Sequence, residues 1–240
     1  MFTPTIRLEH SDPRGELYVI EMPDELPLLL TRAARLGIRP TLGVRVKLSS
    51  RAGGHWDGSG GDRSMFGVNS SQLIDIIDRL KQEQMQDCLQ MLHYHLGSQV
   101  SNIRNIRSAL LEACRFYVEL AREGAAMRFL NIGGGLAVDY DGSHTNFASS
   151  RNYTDQEYAA DVIEVVMTAA DEAGLPHPTI VSESGRATVA HHSVLVFNVL
   201  DVSRFEPRGV TDTLPAEYHG MLANLMDVRK SLSSKNLQEG

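Results

Sequence analysis

Apolar and polar positions follow two rhythms along this chain, and the rhythms take turns. Alternation with period two marks strands, and apolar residues recurring about every 3.6 positions mark helices. "ELYVIEM" (16–22) reads as a strand, and "LPLLLTRAARLG" (26–37) as a helix closing on Gly37 as its C-cap. "TLGVRVKL" (41–48) is the next strand. Asn69 or Ser70 then caps "SQLIDIIDRLKQEQM", with Leu73, Ile76, Ile77 and Leu80 at helical spacing. "CLQMLHYHLG" (88–97) is a strand, followed by a long helix, "NIRNIRSALLEACRFYVELAREG", ending on Gly124. "MRFLNIGGG" is a strand, and "TDQEYAADVIEVVMTAADEAG" a helix capped by Thr154 or Asp155 and closed at Gly174. "PTIVSESG" and "HSVLVFNVLDV" complete a set of six expected strands, with helices between most of them.

Such alternation predicts an α/β fold with a parallel sheet and right-handed crossovers. Two architectures satisfy it, an open doubly wound sheet and a TIM-type (β/α) barrel. Arg45, His95, the glycines 133–135 and Glu183 all fall at the C-terminal ends of different strands. An open sheet gathers its ligand at one switch point, whereas a barrel brings every strand end to one mouth. The barrel is therefore the expectation, with about six of its eight strands present. The chain's ends reinforce that picture: residues 1–205 read as a partial barrel and 206–240 as the start of a helical or inserted segment. A polypeptide cut from a larger protein is expected. The polar, glycine-rich stretch 49–67, with 51–64 at its centre, is far longer than an ordinary connection, so it is functional or disordered.

Composition narrows the partners. A 240-residue chain that is 42% hydrophobic can build a sizeable core. Its net charge of -7 argues against nucleic acid or an anionic membrane surface. No apolar stretch reaches the roughly 18 residues of a membrane span, and the N-terminus lacks a signal-peptide core. Cys88 and Cys114 sit inside apolar periodic segments without a CxxC spacing, which fits reduced thiols in the cytoplasm.

Three stretches carry candidate chemistry. Gly133, Gly134 and Gly135 form either a tight turn or a nest whose bare amides converge on a phosphate. In "HYHLGSQ", His93 and His95 alternate on a strand and face one way. They are a satisfied core pair, a metal-binding HxH, or a site where His95 meets a flat cofactor while Gly97 and Ser98 approach its phosphate. In "SESGRATVAHHS", Glu183 ends an apolar strand, which is costly without a positive partner. It pairs with Arg186 or another arginine, or it holds a proton on a heterocyclic nitrogen with Arg186 near a phosphate. The adjacent His191 and His192 would point oppositely on a strand and chelate poorly. Together the three stretches specify a ligand with a phosphate, a flat ring and a ring nitrogen that stays protonated. Pyridoxal 5'-phosphate has all three.

"HYHLGSQ", "NIGGGLAVDY" and "ESGRATVAHH", in this order, resemble the alanine-racemase-like, fold-type III pyridoxal-phosphate decarboxylases. "PTLGVRVKLSSRAGGHW", "SGGDRSMFGV" and "GLPHPTIVSESGRATVAHHSVLV" resemble the biosynthetic arginine-decarboxylating branch of that family. The resemblance implies that His95 stacks on the pyridine ring and Glu183 pairs with its nitrogen. It implies that Ser98, Gly133, Gly134, Gly135, Gly185 and Arg186 hold the phosphate, with Arg45 near the ring. It further implies L-arginine as substrate, agmatine and CO2 as products, a role in polyamine biosynthesis, homo-oligomers (dimers or dimers of dimers) and an accompanying Mg2+, whose ligands stay unassigned. Two departures stand out. Met65 occupies a position where relatives often carry lysine, and the Schiff-base lysine of the family has no counterpart in context among Lys47, Lys81, Lys230 and Lys235. The chain alone is accordingly expected to be inactive. A metal-dependent hydrolase built on His93 and His95, a non-enzymatic pyridoxal-phosphate-binding barrel, and a sibling decarboxylase for diaminopimelate or ornithine are the rival readings.

Overall fold

A computed structural model describes residues 5–7, 16–50, 64–202 and 217–231. The expected 51–64 loop lies outside the described residues but for its last position, as do 206–216 and 232–240 of the expected C-terminal segment. The chain divides into two compact units, 1–194 and 195–240.

The first unit is one sheet with helices in its crossovers. Its strands are β1 (Thr5–Arg7), β2 (Glu16–Ile20), β3 (Thr41–Arg45), β4 (Leu89–His93), β5 (Phe129–Asn131) and β6 (Thr179–Val181). They lie in sequence order, β1 antiparallel to β2 and every later pair parallel. A doubly wound sheet reverses its strand order at a switch point. This one never reverses, which is the winding of a barrel wall. Helices α1 (Glu25–Leu36), α2 (Ser70–Gln82), α3 (Ile103–Arg122) and α4 (Asp155–Ala173) fill the crossovers.

Local chemistry sets the helix limits. The Asn69 side chain accepts from the Gln72 amide while Gln72 caps back, and Thr154 and Glu157 form the same reciprocal box. Gly37 (φ 63°) and Gly174 (φ 65°) end α1 and α4 in the left-handed region. Leu73, Ile76, Ile77 and Leu80 bury the inner face of α2, and Ile106, Ala109, Leu110, Ala113 and Tyr117 that of α3, against Leu42, Val44, Leu92 and Leu130 of the sheet. Burying a side chain of this kind is worth about 2 kcal/mol.

The opposite face of the sheet is layered. Val19, Gly43, Met91, Phe129 and Thr179 stand side by side across β2 to β6. Leu17, Val19, Met91 and Phe129 form a separate small apolar cluster there. A Cβ on Gly43 would lie 3.0 Å from both Leu17 and Met91, so the bare position lets those two side chains close over it. The next row is Arg45, His93, Asn131 and Val181.

The structure lacks one expected strand and adds two short elements the sequence pattern does not announce. β1 was not anticipated, because a three-residue strand carries too little pattern. "HSVLVFNVLDV" forms no strand: Val194 to Leu200 are coil, with Leu195 83% and Leu200 95% exposed. An apolar run becomes a strand only where a neighbour receives its backbone, so five of the six expected strands are present. "GRATV" turns away from the strand direction as the short helix α5 (Gly185–Val189). His191 and His192 therefore follow a helix, both exposed, with His192 Nδ1 2.6 Å from the Val189 carbonyl. In the second unit, α6 (Gly220–Ser231) is helical, with Met221 and Leu225 exposed.

Candidate active site

The candidate residues lie just beyond the strands, not on them. β4 stops at His93 and β6 at Val181, two residues short of His95 and Glu183 respectively. The parallel ladder nevertheless runs on: Tyr94 donates to the Asn131 carbonyl (3.1 Å), Ile132 to Val181 (2.9 Å), and Glu183 to Gly133 (2.8 Å). That continuation carries His95, the glycines and Glu183 to one level.

The glycines face protein first. A Cβ on Gly133 (φ 64°) would sit 2.4 Å from the Tyr94 carbonyl oxygen, and one on Gly135 (φ 111°) 2.5 Å from that of Gly97. Real Cβ atoms do not approach backbone so closely, so these two positions are bare because the 94–97 segment crosses against them. Gly134 is different. Its Cβ would stand 3.2 Å from the Glu183 carbonyl oxygen, a tight but not forbidden approach, 3.5 Å from Glu183 Cβ and 3.7 Å from His95 Cε1, so Glu183 and the His95 imidazole flank this glycine. The Gly134 amide points at His95 Nδ1 (3.4 Å), which makes Nδ1 the acceptor and leaves the ring proton on Nε2.

Both histidines are held neutral. Burial, then the Arg45 charge, pushes His93 down to about 4. Its Nδ1 lies 3.3 Å from the Asn131 carbonyl. Burial and Arg45 also lower His95, against an opposing pull from Glu183. Arg45 itself is paired with Glu21 (2.5 Å) and stacks over Phe66 with 5.2 Å to the ring centre.

A cationic corner completes the site. Arg186, in α5, donates from Nη2 to Ser98 Oγ (3.0 Å) and from Nη1 to the Tyr140 hydroxyl (3.2 Å). Neither partner carries charge, and among the described residues no carboxylate pairs with this guanidinium. Ser98 follows Gly97, the residue pressed against Gly135, so serine, arginine and the glycine turn share one corner. A Cβ on Gly185 would meet nothing within 4 Å, which leaves open space at the start of α5. An uncompensated guanidinium beside a hydroxyl and bare backbone suits an anion such as a phosphate. The exposed Glu183 across Gly134 suits a protonated ring nitrogen. These residues fit pyridoxal 5'-phosphate.

Four contributors escaped the sequence reading. Glu21 closes a strand with a carboxylate, as Glu183 does, and the same reasoning could have found it. Gln99, at φ 54°, donates to the Val138 carbonyl (2.7 Å) and accepts from the Val138 amide (3.0 Å). Tyr153 donates to the Val100 carbonyl (2.7 Å) and accepts from the Ala137 amide (3.0 Å). Tyr140 reaches Arg186 from 46 positions away. No sequence pattern announces these last three. The HxH metal reading finds no support: among the described residues no group of three or more His, Cys, Asp or Glu side chains is gathered to hold a metal. No described helix is long and apolar enough to cross a membrane.

Residues 10–190 match the family described as pyridoxal-dependent decarboxylase, pyridoxal binding domain. The biosynthetic arginine decarboxylase of Rhodopirellula baltica is 55% identical over 190 residues, covering 79% of this chain and 28% of that protein. Its counterpart from Neisseria meningitidis is 45% identical over 223 residues, 92% of this chain and 35% of the relative. The chain thus spans about a third of the length of such relatives. Among solved structures, the biosynthetic arginine decarboxylase SpeA from Campylobacter jejuni aligns with TM-score 0.62 at 32% identity, over 93% of this chain and 36% of that one. Diaminopimelate decarboxylase from Helicobacter pylori, complexed with L-lysine, aligns with TM-score 0.57 at 24% identity, over 70% and 39%. At that identity the second likeness speaks for the fold alone.

Proposed function

Since the chain belongs to the pyridoxal-dependent decarboxylases, we propose that it supplies the cofactor-binding part of an enzyme converting L-arginine to agmatine and CO2 in polyamine biosynthesis. The arginine assignment draws on relatives at 55% and 45% identity that bear that name. The diaminopimelate alternative has only a fold-level likeness behind it. The observation that carries the cofactor reading is Arg186, bracketed by two neutral hydroxyls beside the glycine turn.

Each residue then has a task. Arg186, Ser98 and Gly185 hold the phosphate beside the glycine turn, whose Gly133 amide is taken by Asn131 Oδ1 (2.8 Å) and whose Gly134 amide faces His95 Nδ1. The Glu183 carboxylate keeps a proton on the ring nitrogen. His95, neutral and fixed by the Gly134 amide, lies against the ring face. Arg45 stays tied to Glu21, and its charge adds to burial, the larger cause, in lowering both histidines. Bound pyridoxal phosphate supplies the electron sink that accepts the electron pair left when CO2 departs.

The lysine that such chemistry requires is not provided by this stretch. Lys81 is engaged with Glu123 on the helical layer, and Lys47 follows β3 in a context unlike the family's. The chain alone therefore binds without turning over. Homo-oligomeric assembly and a cytoplasmic setting complete the proposal; the first rests on the resemblance, the second on two buried free cysteines. The test is to titrate the 240-residue chain with pyridoxal phosphate and with pyridoxal, and to assay arginine-dependent CO2 release. Preferential binding of the phosphorylated form without CO2 release is expected. Equal affinity for the two forms, or enzyme-like turnover, would overturn the reading.

A further inference from the structure

We infer that Tyr140 is a positioning residue of the anion subsite, its hydroxyl fixing the Arg186 guanidinium against Ser98. This rests on the pyridoxal-phosphate reading above. Arg186 is an exposed side chain on the five-residue helix α5. A free arginine there would sample many rotamers, and ordering it at the moment of binding would weaken the complex by the lost side-chain entropy. Two hydrogen bonds to two different nitrogens, Nη1 to Tyr140 (3.2 Å) and Nη2 to Ser98 (3.0 Å), fix both the position and the plane of the guanidinium in advance. Both partners are uncharged, so the cation stays available to an anion.

Tyr140 is suited to this because it is itself held. Its amide donates to the Ser149 carbonyl (2.8 Å). Its two neighbours are occupied elsewhere. Asp139 accepts from Ser150 Oγ (2.6 Å) and lies 3.0 Å from His144, and Asp141 accepts from Ser149 Oγ (2.6 Å) and the Ser143 amide (2.9 Å). The two carboxylates flanking the tyrosine thus have partners in their own loop, while the phenol reaches Arg186. Ser98, the 139–150 loop and α5 are thereby joined at one guanidinium.

The experiment compares dissociation constants for pyridoxal phosphate and pyridoxal in the unaltered 240-residue chain, Tyr140→Phe, Arg186→Ala and the double variant. A hydrogen bond from an exposed charged group to a half-exposed hydroxyl predicts that Tyr140→Phe weakens pyridoxal phosphate about fivefold and pyridoxal less than about twofold. In the Arg186→Ala background the tyrosine change should add nothing, and far-UV circular dichroism should stay constant throughout. Undiminished preference for the phosphorylated form in Tyr140→Phe overturns the inference alone. So does equal weakening of both ligands, which marks a merely structural tyrosine, and so does a full effect without Arg186. Absence of preference in the unaltered chain overturns the cofactor reading and this inference together.

Discussion

Replacing Gly135 with alanine should cost far more stability than conformation alone predicts, and the excess measures the close approach of the 94–97 segment. At φ 111° an alanine carries strain of about 1–3 kcal/mol. Its Cβ would also lie 2.5 Å from the Gly97 carbonyl oxygen and 3.1 Å from Val100 Cγ2. Rotating a side chain cannot relieve contact with a backbone oxygen, so the turn must move. Movement puts at risk the Val100 amide bond to the Gly135 carbonyl (2.9 Å) and the two Gln99 bonds to Val138. Each contributes about 1 kcal/mol. The total is about 4–6 kcal/mol, a large share of a stability of about 5–15 kcal/mol. Gly142→Ala is the control, because Gly142 has φ 74° but nothing within 4 Å of the added carbon. It should lose only the conformational part. Gly185→Ala, with an ordinary φ and an empty surround, should be neutral or slightly stabilising. Urea unfolding followed by circular dichroism ranks the three. If Gly135→Ala is no worse than Gly142→Ala, the crossing of the two segments does not explain the glycine.

Two further outcomes follow from the buried histidines. His93 has a folded value of about 4 against an ordinary 6.5, so between those pH values the unfolded chain binds the extra proton and stability falls as the solution is acidified. The contribution is intact above pH 6.5 and lost progressively down to about 4, some 3 kcal/mol in all. His93→Gln should flatten that part of a pH–stability profile, and an unchanged profile would refute the assignment. Arg45→Met should raise the pKa of both His93 and His95, since the Arg45 charge lowers both; imidazole titration by NMR in which neither rises would show that burial alone sets them.

Much of this was readable in the sequence, for reasons that can be located. The caps at Asn69 and Thr154 are short-range signals, complete within three residues, and both formed as expected. The alternation of strands with helices survived because the central strands bury Leu42, Val44, Leu92 and Leu130 against the helical layer. Strand ends were less legible. "HYHLG" and "VSESG" alternate like strands, yet β4 ends at His93 and β6 at Val181, with only single backbone bonds continuing the ladder beyond them. The run 194–202 is the clearest misreading: its β-branched residues describe what could pair, and pairing needs a neighbour that local pattern does not encode. Tyr140 and Gln99 act through the tertiary fold across 46 and 39 positions, beyond any periodic signal.

The glycine run shows how one feature can answer two demands. Gly133 and Gly135 are bare because neighbouring backbone leaves no room, and that crossing is what brings Ser98 to the glycine turn. Gly134 lies between Glu183 and His95, its nearest neighbour being the Glu183 carbonyl oxygen, 3.2 Å from an added Cβ. Packing thus accounts for Gly133 and Gly135, while Gly134 lines the proposed site. In the row of residues beneath it, Arg45, His93 and Asn131, burial lowers the two imidazoles and the Arg45 cation, tied to Glu21, adds to that lowering. A positive His95 would repel a ring nitrogen that must itself stay protonated. On this reasoning Arg45 contributes to the site by holding charge off His95, and it does so from the strand end rather than through any contact with the phosphate corner.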